Sequence, residues 1–479
     1  MAARSQYGVW ASERRLLTVG LIGLITAAAF EGMAVPTVLP AMVGELGGLE
    51  LYGWTFSAFW LTNIVGITIA GSDADRHGPK RAFLIGLSLF AAGLVTAGLA
   101  NGMFIVILGR AVQGLGSGAI ASIVYVVIAR AYGWRAVPRM IAFVSSAWVV
   151  PGLVGPPLAG LVADNLSWRW VFLGLVPPVV IMGAAVLMPI ARLGRSVDSG
   201  AGAGRNRRAL DAVGLALGST MLLGALSGGN LLISLPLLLG GGVLTILALR
   251  RLVPPGTLRA RAGLPAVVGL IFLFAFAFFG TDAFVPLAVT TVRGESTTVG
   301  GLALSAAAVS WAAGAWLPAR LARRGLRREL VAGGAALIAI GIAVSALVLL
   351  PQMPIVLAAT GWAVAGLGMG LGYSTLAALV LQTAEPGQEG ASSAAMQLMF
   401  TLGTAFGAGT GGALVALTEV TPLSLSAGIA LADGLMIVAV LLALSLSGRI
   451  PARAGGSGER HGELLASPAG ALGGSRERP

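Results

Sequence analysis

The stretch GRAVQGLGSG (residues 109–118) recurs as GWAVAGLGMG at residues 361–370, a separation of 252 positions. GPPLAG (155–160) and GAGTGG (407–412) stand at the same separation, and HGPKR (77–81) pairs with RGLRR (324–328) at 247. Glycine-rich segments resemble one another by composition, but two matches at one separation point to a duplicated unit. Around these copies, apolar runs of ~20 residues recur, each long enough for a ~30 Å hydrocarbon layer. Six lie near 16–40, 53–72, 82–100, 103–131, 140–163 and 170–190. Two more occupy roughly 211–228 and 231–249, and a second six lie near 264–290, 298–320, 329–350, 354–383, 390–417 and 423–447. The sequence therefore predicts an all-α polytopic membrane protein of fourteen spans. Its N-terminal six-helix bundle covers 1–190, a cytoplasmic linker with two extra spans covers 191–263, a second bundle covers 264–447, and a disordered cytoplasmic tail covers 448–479. Both sets of six begin on the same side, so the repeat is parallel. A pseudo-twofold axis then runs along the membrane normal, an arrangement suited to alternating access.

Composition agrees. Of the 479 residues, 56% are hydrophobic and 10% charged, where a soluble protein carries ~25% charged residues. The mean hydropathy is +0.89. A net charge of +12 would suggest nucleic acid in a soluble protein. Here all but three of the 31 basic residues fall in loops or tails of one side. The exceptions are Arg110 inside a span and Arg169 and Arg293 in loops of the other side. That bias predicts cytoplasmic termini, the inner (plasma) membrane and no nucleic-acid partner. The apolar run after MAARSQYGVWASERRLL reads as a retained first helix rather than a signal peptide. There is no cysteine, so disulfides and thiolate chemistry are excluded. His77 and His461 fall in a loop and the tail, so no metal site is expected. The chain has no P-loop and no nucleophile elbow, so neither an enzyme nor an ATP-driven pump is expected. A sensor would need a longer output domain than the tail offers.

GSDADRHGPKR (71–81) resembles the loop between helices 2 and 3 of the major facilitator superfamily. RAVQGLGSG (110–118) resembles that family's helix 4 signature, and PGLVGPPLAG (151–160) its antiporter signature in helix 5. WRWVF (168–172) resembles the start of helix 6 in the fourteen-helix drug:proton antiporters. The resemblance covers roughly residues 12–450. It implies the major facilitator fold and proton-driven antiport of hydrophobic or cationic small molecules by a monomer in the lipid bilayer. No cofactor is implied beyond the proton gradient. The alternative is an exporter or flippase of a specific lipid or metabolite. The departures are a glutamate in helix 1 where the relatives usually carry aspartate, Pro79 where arginine is common, and Ala322 in the second loop copy opposite Asp75.

The resemblance makes Gly71, Asp75, Arg76, Gly78, Lys80 and Arg81 a gating loop, with Asp75 as latch and Gly78 as turn. It makes Pro151, Gly152, Gly155, Pro156 and Gly160 a bend that seals the cavity against proton leak. Close packing of the same helix is nearly the same physics. Since helices 1 and 4 line the family's cavity, depth counting becomes useful. Counted from Asn101, Arg110 lies ~12–14 Å inside; counted back from Pro40, Glu31 lies ~13 Å inside. An ionised carboxylate in hydrocarbon is costly and needs a reason. Glu31, Arg110 and Gln113 are accordingly candidate proton-coupling residues, with Glu31 as carrier, because arginine stays charged. Asp282, 251 positions after Glu31, is expected at the equivalent place in the second half, as a second protonation site or a counter-charge for cations. Asp433 also counts as deep, with no role assigned. Trp54, Trp60, Trp148, Phe274, Phe276 and Trp311 read as core or interface residues before drug-pocket residues.

Overall fold

The computed structural model describes residues 9–132, 136–193, 202–227, 231–321, 326–385 and 388–450, and among these every regular element is helical. Among the described residues fourteen helices are long and apolar enough to cross a membrane. In chain order they are α1 (Arg14–Leu46), α2 (Leu49–His77), α3 (Pro79–Gly98), α4 (Met103–Ala131), α5 (Arg139–Asn165), α6 (Arg169–Ala191) and α7 (Arg207–Ser227). The rest are α8 (Leu231–Leu252), α9 (Leu264–Val292), α10 (Thr297–Pro318), α11 (Arg327–Leu349), α12 (Val356–Thr383), α13 (Glu389–Val420) and α14 (Leu425–Arg449). Ala322 and Arg324 of the second loop copy, residues 194–201 of the linker and the tail from residue 451, including His461, lie outside the described residues. Gly448 and Arg449 of the expected tail finish α14 and Ile450 follows it; Arg449 Nη1 donates to the Arg259 and Ala260 carbonyls at 3.1 and 2.9 Å.

Several boundaries differ from the sequence reading for identifiable reasons. α1 was expected to stop at Pro40, yet it runs through Pro36 and Pro40 to Leu46. Each proline removes one helical hydrogen bond, but both are buried beside Val35, Val38, Leu39 and Met42, all fully buried, so packing holds the helix. Gly47, at φ 68°, ends it by returning its N–H to the Val43 carbonyl. α5 is interrupted between Ser146 and Val149. Pro151 has no N–H for the carbonyl of Ala147, four residues back, and the break falls there. In α9 the α-helical backbone stops at Asp282, resumes at Val285–Leu287 and ends in a π turn, Ala288–Val292. Asp282 is therefore inside a span and not at its end.

The repeat is visible in the packing. In the first half α1 packs on α5 and α6, α4 on α2 and α3, and α3 on α6. The same pairings recur as α9 with α13 and α14, α12 with α10 and α11, and α11 with α14. Glycines of the quoted motif carry it. A Cβ on Gly114 would stand 2.2 Å from the Phe59 carbonyl oxygen, and one on Gly366 would stand 2.3 Å from that of Ala307. Gly118 and Gly370 meet the carbonyls of Asn63 and Trp311 in the same way. Only hydrogen fits at these four positions, so α4 and α12 each lie backbone to backbone with their neighbour.

The halves meet through α2 with α13 and α5 with α10. These two seams are copies of each other. Ser57 Oγ donates to the Ala405 carbonyl at 2.8 Å, and Ser305 Oγ donates to that of Leu153 at 2.9 Å. Gly53 abuts the Ala408 carbonyl, and Gly301 that of Pro156. Such reciprocity is what a pseudo-twofold axis requires. Every seam contact of this kind lies toward the end of the bundle opposite the chain's start. Toward the other end, a cavity of about 710 Å³ separates α2 from α13, lined by Thr68, Asp75, Glu385, Ser392 and Thr401 among others.

The two extra helices pack on each other, and α7 lies against both α2 and α13. α7 therefore covers one of the two seams, rather than serving only as a lipid-facing spacer. Trp54 Nε1 donates to Ser227 Oγ at 3.3 Å, and Arg251 pairs with Asp211 at 2.9 Å. α8 presents Leu231, Leu232, Leu239 and Val243 outward.

Candidate functional site

The structure joins three of the expected cavity residues. Arg110 Nη1 donates to Glu31 Oε1 and, at 2.9 Å, to Gln113 Oε1. Its Nε donates to the Thr55 carbonyl at 3.3 Å, and the guanidinium lies 4.2 Å from the Phe59 ring centre. Glu31 is 1% exposed and Arg110 2%. The depths counted from Pro40 were too shallow, because α1 continues to Leu46. The pairing still follows, since α1 and α4 are in contact. Glu31 Oε2 and Gln113 Nε2 are buried with no hydrogen-bond partner. An unmade bond at a buried polar atom costs about 1–3 kcal/mol, so the cluster holds one free acceptor and one free donor.

Asp282 occupies the matching place in the second half. Trp362 Nε1 donates to Asp282 Oδ1 at 2.8 Å. Trp362 stands 252 positions after Arg110. Each half thus sets one acid on its first helix against one donor on its fourth. The copied motif already aligned Arg110 with Trp362, and that alignment was the available signal for this partner. Asp433, which had no assigned role, accepts from Thr281 Oγ1 at 3.0 Å on the α14 side of α9.

In the loop, Gly78 has φ 85° and turns α2 into α3, with Pro79 opening the new helix. Arg130 of α4 donates to Asp75 Oδ1 at 3.2 Å. Arg81 lies 3.9 Å from Asp73, which also binds His77 at 2.8 Å. Arg76 and Lys80 are exposed. Gly71 passes α4, where a Cβ would stand 3.2 Å from Ser122 Oγ. In α5, Gly155 faces Phe30 of α1, Gly152 lies between Ala308 of α10 and Met33 of α1, and Pro156 and Gly160 abut α10. Trp148 is exposed and Phe274 fully buried.

Sequence reasoning passed over Asp164. Its carboxylate accepts from Thr297 N at 3.0 Å, Thr298 N at 2.9 Å and Thr298 Oγ1 at 2.7 Å. It caps α10 from the end of α5, across the seam between halves. A cap of this kind contributes about 0.5–2 kcal/mol. Asp164→Ala should therefore weaken closure at this end while leaving the two bundles folded. Faster hydrogen exchange confined to the first turn of α10 would report it, and unchanged exchange there would refute it.

A family model of the Major Facilitator Superfamily matches residues 20–408. The chain is 27% identical over 435 residues to a probable multidrug-efflux transporter of Mycobacterium tuberculosis, across 86% of this chain and 90% of that one. It is 32% identical over 170 residues to the multidrug transporter protein MdtP of Bacillus subtilis, across 36% of this chain and 31% of that one. An uncharacterized MFS-type transporter of M. tuberculosis is 29% identical over 411 residues, across 83% of this chain and 59% of that one. The matches thus span about a third of MdtP and under two thirds of the second M. tuberculosis protein. Among solved structures, an auto-inhibited POT family peptide transporter superposes with TM-score 0.63 at 19% identity, over 90% of this chain and 96% of that one. A D-xylose–proton symporter gives 0.62 at 16%, over 91% and 98%. At such identities the likeness is one of fold. With fourteen helices fit to cross a membrane among the described residues, its copied bundles and this match along most of its length, the chain belongs to the major facilitator superfamily and is a multi-pass membrane protein.

Proposed function

We propose that the chain exports hydrophobic or cationic small molecules in exchange for protons, by alternating access. The observation that carries this reading is the buried Glu31–Arg110 pair with its unpartnered Oε2. A guanidinium keeps its proton in proteins, so the member of the pair suited to take up and release a proton is the carboxylate. Protonation at Oε2 would remove the counter-charge of Arg110, which keeps its bonds to Gln113 and the Thr55 carbonyl. A proton at this site is thus coupled to the strength of the α1–α4 contact.

With the arginine-rich side taken as cytoplasmic, the reciprocal seams close the outer end and the cavity beside Asp75 opens inward. On this reading the chain is inward-open. Asp75 is then held by Arg130 within its own half and is available to latch the second half when the cavity closes. The names of the relatives support drug-like substrates.

The test is ethidium efflux from cells lacking their own pumps, at matched membrane expression. Wild-type efflux should stop when a protonophore is added, and Glu31→Gln should lower it by on the order of 10²-fold, as loss of a proton-transfer group does. Gradient-driven efflux by Glu31→Gln at the wild-type rate would overturn the assignment of the proton. No efflux from the wild type would move the reading to a dedicated lipid or metabolite.

A further inference from the structure

Three consecutive residues at the break in α9 reach three different helices. Thr281 Oγ1 donates to Asp433 of α14 at 3.0 Å, Asp282 accepts from Trp362 of α12 at 2.8 Å, and the Ala283 carbonyl accepts from Tyr52 Oη of α2 at 2.9 Å. Of these, only the third crosses between the halves. Tyr52 is fully buried, and its ring stacks on Phe284 at 5.3 Å. Phe284 is in turn wedged against Gly411 of α13, where a Cβ would stand 2.5 Å from its ring. The residue after Tyr52 is Gly53, which meets the Ala408 carbonyl in the seam. Past the break, Val285–Leu287 packs on α1, so the last part of α9 also leans on the first half.

The break has a cause in the sequence. Pro286 has no N–H to offer the Asp282 carbonyl four residues before it, and the α-helix stops at Asp282. Backbone carbonyls left open inside a span must find a donor in the protein or in water. Tyr52 supplies that donor to Ala283 from the opposite half, and it does so only while α2 lies against the second half. When the seam parts, the hydroxyl leaves with α2, and water must take its place one residue from Asp282. The other seam lacks both parts of this device. Gly300 stands 248 positions after Tyr52, as Gly301 does after Gly53, and α1 passes Pro36 without a break. The hydroxyl and the broken helix thus occur together, in one seam of the two.

We propose that the Tyr52 hydroxyl is the positioning group that seals the break in α9 against water from the closed end, so that closing this seam and shielding Asp282 are one event. The inference rests on the alternating access of the export reading and adds to it the residue through which one half senses the other. Tyr52 touches neither proton nor cargo; it acts through the Ala283 carbonyl. In the structure the seam is shut, the hydroxyl is bonded and Ala283 is 1% exposed.

The absence of cysteine makes accessibility a direct readout. Asp282→Cys, and separately Ala283→Cys with the acid retained, are expressed in whole cells and treated from outside with a small, membrane-impermeant methanethiosulfonate. A protonophore removes the gradient. With Tyr52 in place both positions should react slowly. Tyr52→Phe keeps the ring on Phe284 and removes only the hydroxyl, which leaves a buried acceptor unpaired. It should speed the reaction at both positions about tenfold or more. Ser57→Ala removes a second hydroxyl bond of the same seam, the one to Ala405, and should change the rates by less than ~3-fold. The proposal is overturned by unchanged rates in Tyr52→Phe at matched membrane expression, by an equal gain in Ser57→Ala, or by fast reaction while Tyr52 is intact. Ethidium efflux that depends on Glu31, together with any of those results, would leave proton-coupled export standing without this seal. The expected labelling without gradient-driven efflux would keep the seal and remove proton-coupled export.

Discussion

Arg110→Ala should sharply reduce the amount of folded protein, and Glu31→Gln combined with Arg110→Gln should recover part of it. The single change strands an ionised or forcibly protonated carboxylate at a site that is 1% exposed. It also leaves Gln113 Oε1 and the Thr55 carbonyl without their donor. Breaking one side of a buried pair costs about 3–5 kcal/mol, a large part of a net stability of about 5–15 kcal/mol. The double change removes both charges and retains amides that can bond to each other. Thermal unfolding in detergent of the wild type, Glu31→Gln, Arg110→Gln and the double variant forms a double-mutant cycle. A coupling of about 1.5 kcal/mol or more is expected. Purely additive effects would show that the two side chains act independently, and the proton reading built on their contact would fall with them.

The second large effect concerns the reciprocal seams. A Cβ on Gly53 would lie 2.6 Å from the Ala408 carbonyl oxygen, and one on Gly301 would lie 2.5 Å from that of Pro156. Both neighbours are backbone of the opposite half, so only separation of the halves relieves the clash. Gly53→Val and Gly301→Val should therefore hold this end apart and halt transport. Overpacking of about 1–3 kcal/mol shifts a two-state equilibrium roughly 5- to 150-fold. Gly44→Val adds the same side chain where nothing stands within 4 Å and makes a matched control. The absence of cysteine gives a clean readout. A single Ala405→Cys, buried against Ser57, should react with an impermeant maleimide in the valine variants and stay protected in the control background. Equal labelling in all backgrounds would mean that the seams are not the gate at this end.

Much of this was legible in the sequence, for reasons that can be separated. Hydrocarbon thickness sets a span length, so the number of spans followed from apolar runs alone. Glycines at 252-residue separation revealed the duplication, because helices in backbone contact tolerate only the smallest side chain. Glu31 and Arg110 declared themselves by cost, since neither belongs in hydrocarbon without a partner. Other features stayed hidden. The Asp75–Arg130 pair joins residues 55 apart, and nothing in either segment names the other. Asp164 reads as an ordinary polar residue near a helix end until α10 is placed beneath it. Pro40 looked like a terminator, because local propensity carries no information about the buried neighbours that carry α1 on to Leu46.

The sequence by itself determined the class, the number of spans, the duplication and the presence of an acid in each half. These depend on composition, period and spacing, which are properties of one chain read in order. Tertiary structure alone decided which end of the bundle is shut and which seam α7 covers. Those depend on distances between helices far apart in sequence. A one-residue change of register turns a side chain by about 100°, so contact partners become definite only when every helix has been packed.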